Sequence, residues 1–208
     1  MSRFIVVLGQ GRSGSTLINR LLNSVPGVRI SGENNRALDH LSEFVKCLSN
    51  IKNAGDDSFF ALAWARPPGI NNLIESMHNT ILALYNPGGQ FAVFGFKEIR
   101  YGKNYDQLTK DVAFIRKLFP NLRIIFNVRD TASCVKSRWW AANQEKSCKI
   151  LNTMRQNFER YYLENRNYCY WMPYEELRKG SPVLRGMFDF LDIQFEADYE
   201  RELEIVKR

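Results

Sequence analysis

Phe4-Ile5-Val6-Val7-Leu8 is an unbroken apolar run that stops at Gly9. A short run of this kind, bounded by glycine, predicts a strand buried on both faces, as strands of a parallel sheet are. Leu17, Ile18, Leu21 and Leu22 then recur at helical spacing, predicting a helix over 16–23 that Pro26-Gly27 closes. The next stretch reads as helical over 37–49, 58–65 and 71–85, with Gly55, Pro67-Pro68 and Pro87-Gly88-Gly89 as separators. Strand and helix patterns then alternate: a strand over 91–96, a helix over 105–119 and a strand over 122–128. Thr131 or Ser133 is positioned to cap a helix running through Trp139-Trp140, followed by a helix over 149–165 and a short strand over 168–172. A last helix includes 184–191, and the charged stretch 196–208 reads as a solvated or fraying helix.

This alternation predicts an α/β fold, a single open parallel sheet flanked by helices, in one domain spanning residues 1–208. In such sheets ligands sit at the carboxyl ends of the strands.

Composition adds bounds rather than a function. With 208 residues, 45% hydrophobic and 25% charged, the chain falls in the soluble globular range. The apolar run at 4–8 is too short for a secretory h-region or a membrane span, so a cytoplasmic protein is expected. Cys47, Cys134, Cys148 and Cys169 form no Cys-x-x-Cys pair and His40 and His78 are the only histidines, so buried reduced thiols are expected and no metal site. A net charge of +7 and a pI near 9.3 favour anionic partners. The basic residues are spread along the chain, which argues against a nucleic-acid patch or a polybasic membrane anchor.

The chemistry is concentrated after the first strand. Gly9-x-x-x-x-Gly14 followed by Ser15-Thr16 has the spacing of a loop whose backbone amides converge on a phosphate. A nucleoside-triphosphate loop places lysine after its second glycine, but here Ser15 stands there and the loop's one cation is Arg12. A second candidate follows the strand over 122–128: Arg129 occupies the position where a Walker-type ATPase needs an acid. Arg129 suits a phosphate, and Ser137, eight residues on, would lie about two helical turns into the next helix and share that anion.

Gly11-Arg12-Ser13-Gly14-Ser15-Thr16-Leu17 resembles the 5′-phosphosulfate loop of sulfotransferases that use 3′-phosphoadenosine 5′-phosphosulfate (PAPS). Arg129 with Ser137 resembles that family's 3′-phosphate site, with Thr131 in place of the usual proline. Tyr174-Glu175-Glu176-Leu177 resembles the segment whose tyrosine approaches the adenine; Arg178-Lys179-Gly180 comes too soon after it to be the family's basic, glycine-rich C-terminal loop. The resemblance implies a P-loop nucleotide-kinase-like sulfotransferase fold, PAPS as co-substrate, 3′-phosphoadenosine 5′-phosphate (PAP) as product, and no metal. It also implies that Gly11, Arg12, Ser13, Gly14, Ser15 and Thr16 hold the 5′ end of the nucleotide, Arg129 and Ser137 the 3′-phosphate, and Tyr174 the base.

Pro26-Gly27-Val28-Arg29-Ile30-Ser31-Gly32-Glu33 resembles the stretch that follows the loop in tyrosylprotein and many bacterial sulfotransferases, which puts Glu33 where a catalytic glutamate is found. Phe94 to Tyr101 resembles the Lys-x-x-Arg segment of carbohydrate and bacterial sulfotransferases, in which a strand-end lysine, here Lys97, enters the site. Sulfuryl transfer to a hydroxyl needs a proton acceptor, for which Glu33, Glu98 and His40 are the candidates. Lys97 and Glu98 should project to opposite sides of their strand, so only one of them is expected to reach the site. The acceptor is a small-molecule, glycan or peptide hydroxyl, with a helical insertion over about 37–90 shaping its pocket. Two other readings remain: a P-loop nucleotide kinase, and a non-catalytic polyanion-binding module exploiting the positive charge and Trp139-Trp140.

Overall fold

In the computed structural model, residues 2–51, 67–137, 140–201 and 203 are described. Five strands, β1 (Arg3–Gly9), β2 (Val28–Ser31), β3 (Val93–Glu98), β4 (Arg123–Val128) and β5 (Cys169–Pro173), form one open sheet in the order β2-β3-β1-β4-β5. Every pairing is parallel. Among the described residues seven α-helices accompany them: α1 (Ser15–Asn23), α2 (Ala37–Ile51), α3 (Pro67–Tyr85), α4 (Tyr105–Leu118), α5 (Thr131–Val135), α6 (Gln144–Glu164) and α7 (Pro182–Phe190).

The unbroken apolar run of β1 is explained by its place at the centre of the sheet. Phe4, Val6 and Leu8 face a core completed by Leu38 of α2, Met77 and Ile81 of α3, Val112 and Ile115 of α4, and Met154 and Phe158 of α6. Ile5 and Val7 face the other way, against Leu17, Ile18, Leu21 and Leu22 of α1 and Leu184, Met187 and Phe188 of α7. Successive side chains of a strand point to opposite faces, so a two-sided core needs every position apolar. Each fully buried Phe, Leu or Ile contributes roughly 2 kcal/mol of transfer free energy toward holding helices on both faces.

Several boundaries differ from the sequence expectation. β2 was not anticipated, because its four residues bury only Val28 and Ile30 and a run that short carries little periodic signal. Pro67 and Pro68, expected as separators, begin α3, where a missing backbone N–H costs nothing. α6 starts at Gln144, five residues before the expected 149, because Asn143 caps it by accepting from the Lys146 amide. The expected 196–208 helix opens as a 3₁₀ turn over Ala197–Glu200 that buries Tyr199 against Phe188, after which Arg201 and Leu203 are helical; 202 and 204–208 lie outside the described residues. The candidate helix over 58–65 and residue Trp139 lie outside the described residues.

α5 shows the largest departure. A helix through Trp139-Trp140 was expected, but α5 ends at Val135. Its cap is Asp130, which accepts from the Ser133 amide, rather than Thr131 or Ser133. Trp140 is held by long-range bonds that a continued helix would not provide: its indole N–H donates to the Gly11 carbonyl, and its own carbonyl accepts from the Ser147 hydroxyl. Ser137 therefore lies beyond the helix and not two turns within it.

Of the four cysteines, Cys134 and Cys169 are buried, and burial pushes their thiols up to about 11 and about 12. Cys47, expected buried, is exposed on α2. No described helix is long and apolar enough to cross a membrane.

Gly95 is set by the close approach of β3 to β1, where it pairs with Ile5. A Cβ at Gly95 would fall inside the van der Waals shell of the Ile5 carbonyl oxygen, backbone that the sheet holds in place. Gly95→Ala is therefore expected to lower the unfolding free energy by about 2 kcal/mol or more, read as a fall in the urea midpoint at unchanged m-value. A midpoint equal to wild type would contradict this account of the β1–β3 contact.

Candidate active site

The sheet order reverses direction at β1: the chain leaves it for β2 on one side and later returns to pair β4 on the other. The carboxyl ends of β1, β3 and β4 thus meet where open α/β sheets form their ligand crevice. A cleft of about 770 Å³ opens there, lined by Arg12, Gly14, Ser15, Thr16, Leu17, Arg20, Glu33, Lys97, Ile99, Arg129, Ser137 and Tyr174.

The loop from β1 to α1 is shaped by two left-handed residues, Arg12 (φ 72°) and Gly14 (φ 85°). Glycine adopts this conformation freely, whereas in arginine it costs on the order of 1 kcal/mol. Buried hydrogen bonds hold the turn. The Ser13 hydroxyl donates to Asn127 Oδ1 on β4 at 2.7 Å, and Asn127 Nδ2 donates to the Met172 carbonyl on β5. The Ser13 amide donates to the Gln10 carbonyl, while the buried Gln10 side chain donates to the Leu151 carbonyl and accepts from the Arg129 amide. The Ser13 side chain is thus committed to the fold, and Gly11 faces away from this cleft toward Trp140. Arg12, Gly14, Ser15 and Thr16 line the cleft, with the amino end of α1 directed at it.

Gly14 is required for a second reason, since a Cβ there would penetrate the ring of Tyr174. That ring also carries the Arg129 guanidinium, 3.9 Å from its centroid. One aromatic face expected for the adenine is thereby taken by a cation, and Tyr174 acts in this geometry as the seat of Arg129. Ser137 reaches the same wall, and its buried hydroxyl finds no hydrogen-bond partner among the described residues.

On the opposite side Glu33 follows β2 and meets two cations from β3 and its extension. Lys97 Nζ donates to Glu33 Oε1 at 2.5 Å and Arg100 Nη1 to Oε2 at 3.0 Å. Burial works against the Glu33 charge, but the hydrogen bond and charge of Lys97, reinforced by Arg100, outweigh it and hold its pKa below the ordinary 4.5. Lys97 is itself mostly buried, yet it lines the cleft.

Glu98, the competing candidate, projects to the other side. It is fully buried, accepts from the backbone amides of Arg36, Ile99 and Arg100, and pairs with Arg100 Nη1 at 2.8 Å. It is not part of the cleft wall; it holds Arg100 in place and anchors the turn after Glu33. That turn contains two left-handed residues, Asn35 (φ 55°) and Arg36 (φ 60°). Arg36 pins it by pairing with Asp39 and with buried Asp111, whose carboxyl is pushed up to about 6 by burial and by the nearby Asp39 charge. His40 is exposed on α2 and lies outside the cleft wall. The described residues of α2 and α3 pack against the sheet and α4 rather than lining the cleft.

Arg20 and Arg100 were missed by sequence reading as site residues. Arg20 is one helical turn beyond Thr16, so the helical spacing places it on the face that Thr16 presents to the cleft. Arg100 was legible only as part of the Lys-x-x-Arg segment, without a role.

Fold and site together define an open parallel α/β protein with a cationic cleft at the switch point of its sheet. The sequence profile of the sulfotransferase family matches residues 5–197, and the chain belongs to that family. Among solved structures it is similar to the sulfotransferase domain of the olefin synthase of Synechococcus PCC 7002, with TM-score 0.62, 18% identity and coverage of 96% of this chain and 77% of that one. It is also similar to a sulfotransferase from Alicyclobacillus acidocaldarius, with TM-score 0.54, 14% identity and coverage of 98% and 90%. At these identities the likeness concerns the fold. None of the curated proteins compared with the chain matches it.

Glu33 has a depressed pKa, so its contribution to stability is full at neutral pH and is lost as the pH falls through that lowered value. Lys97→Met removes the leading cause of the depression. The Glu33 carboxyl is then expected to titrate at higher pH than in the wild type, measured by NMR of ¹³C-labelled glutamate side chains. An unchanged midpoint would show that Lys97 does not set the charge of Glu33.

Proposed function

We propose that this protein transfers the sulfuryl group of PAPS to an acceptor hydroxyl, with Glu33 as the proton acceptor. The observation that carries this reading is the Ser137 hydroxyl. It is buried without a partner among the described residues, on a wall shared with Arg129 and Arg12, an arrangement that costs on the order of 1–3 kcal/mol unless a ligand accepts its hydrogen bond. A phosphate on a nucleotide whose other end lies at the β1–α1 loop would supply that acceptor.

The donor site divides into two anion-binding parts. Arg12 and the amino end of α1 at Ser15 and Thr16 meet the 5′ end, where the helix terminus and a guanidinium both favour negative charge. Arg129, seated on Tyr174, and Ser137 meet the 3′-phosphate. The absence of lysine at Ser15 distinguishes this loop from one that binds nucleoside triphosphates.

When bound, PAPS supplies an activated sulfuryl group whose bond to the phosphate oxygen breaks as the acceptor oxygen bonds to sulfur. Glu33, ionised at neutral pH, receives the acceptor proton. Its low pKa makes it a modest base, but proton transfer is then needed only as the acceptor oxygen becomes acidic on bonding to sulfur. Lys97 and Arg12 contribute positive charge on either side of the transfer, and the loop amides face the oxygen that leaves with PAP. Glu98 and Arg36 act through other residues, by fixing Arg100 and the turn after Glu33.

Titration calorimetry with PAP and ATP tests the donor. PAP is expected to bind and ATP to bind far more weakly, with Arg129→Ala and Ser137→Ala each weakening PAP by about tenfold or more, the cost of a lost bond to a charged group. With labelled PAPS, Glu33→Gln should lower single-turnover transfer by about 10²-fold or more while PAP affinity stays near wild type. A protein that binds neither PAP nor PAPS would overturn the proposal.

A further inference from the structure

A second cavity of about 300 Å³ lies next to the first, lined by Gly11, Ile99, Arg100, Lys103, Trp140 and Met154. The two share Ile99, and Arg100, which lines the second, donates to Glu33 of the first at 3.0 Å. The second cavity therefore opens beside the carboxylate assigned above as proton acceptor. Its walls divide by chemistry. Trp140, Met154 and Ile99 form an apolar side, and Trp140 is fixed there by its bond to the Gly11 carbonyl at 3.1 Å.

The two cations differ. Arg100 is neutralised by Glu33 and Glu98, whereas exposed Lys103 has no carboxylate within ion-pair distance among the described residues. Lys103 thus leaves one positive charge uncompensated at the rim of a pocket whose other walls are the paired Arg100, Gly11 and the apolar Trp140, Met154 and Ile99. A cavity of about 150 Å³ suffices for a benzene-sized ring, so this one accommodates a ring and a short substituent.

We infer that this cavity is the acceptor subsite and that it selects a hydroxyl compound with an apolar, ring-sized body and one anionic group. The body packs between Trp140 and Met154, contacts that both an indole and a thioether favour with an aromatic partner. The anionic group meets Lys103, and the hydroxyl points past Arg100 toward Glu33. The assignment rests on the sulfotransferase reading for its direction, but the ligand class follows from the cavity itself.

The test compares 3-(4-hydroxyphenyl)propionate with its uncharged amide, 3-(4-hydroxyphenyl)propionamide, as ligands of the intact protein and, in the presence of PAPS, as acceptors. In the wild type the acid is expected to bind about fivefold more tightly than the amide, the size of a partly exposed ion pair. Lys103→Glu, a change at an exposed position, should abolish or reverse that preference and raise the KM for the acid without lowering kcat for the amide. Equal binding of acid and amide, an acid preference that survives Lys103→Glu, or failure of both compounds to bind would each overturn the inference. PAP titration of the same samples separates the two claims. Loss of PAP binding with the acid preference intact removes the donor reading, while PAP binding without the preference removes this one.

Discussion

The hydrogen bond from the Ser13 hydroxyl to Asn127 is the constraint on which the site rests. It ties the middle of the β1–α1 loop to β4, and Asn127 carries the tie onward to β5 through the Met172 carbonyl. Both side chains are fully buried, so breaking the link would strand polar atoms inside the sheet's end layer. With Ser13 fixed, Arg12 before it and Gly14 after it are forced into left-handed conformations, and α1 starts with its amino end at the cleft. The same loop governs the neighbours: the Arg129 amide bonds Gln10, Trp140 bonds Gly11, and Tyr174 fits only against a residue without a side chain at Gly14. A serine that looks from its position like a ligand residue serves as the pin that shapes this wall of the cleft.

The opposite wall is built by a different strategy, in which charges are set against one another. Glu33 is held by Lys97 and Arg100, Arg100 by Glu98, and Glu98 also accepts the Arg36 amide that closes the turn after Glu33. Adjacent residues on β3 divide the work because the pleat sends them to opposite sides. Lys97 goes into the cleft, and Glu98 goes into a buried network behind it. A carboxylate held by two cations remains ionised and oriented, at the expense of basicity.

What the sequence disclosed follows from how local each signal is. The apolar runs of β1 and β4, the helical spacing in α1 and α4, and the Gly9 to Thr16 spacing are properties of adjacent residues, and they located the sheet's centre and its loop. The Lys97 and Glu98 division was legible from strand alternation alone. What escaped depends on contacts distant in the chain. β2 has too few buried positions to announce itself, α5 stops because Trp140 is drawn to Gly11, and Ser137 consequently leaves the helix. The resemblance suggested Tyr174 as an aromatic that approaches the adenine, but its Arg129 partner lies 45 residues earlier, and nothing in the local pattern pairs them.

Three unfavourable features converge on one cleft. Arg12 holds a backbone conformation that disfavours a side chain, Ser137 buries a hydroxyl without a partner, and Arg12, Arg20 and Arg129 stand together with no carboxylate in ion-pair distance among the described residues. Away from the cleft the Gln10, Asn127 and Glu98 networks satisfy their buried polar groups, although Asn34 Nδ2 is also buried without a partner among the described residues. Left-handed residues also occur at Asn35, Arg36 and Asp192, but the strain, the unpartnered hydroxyl and the mutual repulsion that meet in this crevice have a common remedy in a ligand that carries several negative charges and accepts hydrogen bonds at two separated points. Such a ligand binds the folded state alone and adds its binding free energy to stability. An anion with a single centre would relieve the loop or the Arg129 wall but not both, so the distribution of these costs across the cleft itself argues for a two-ended anion.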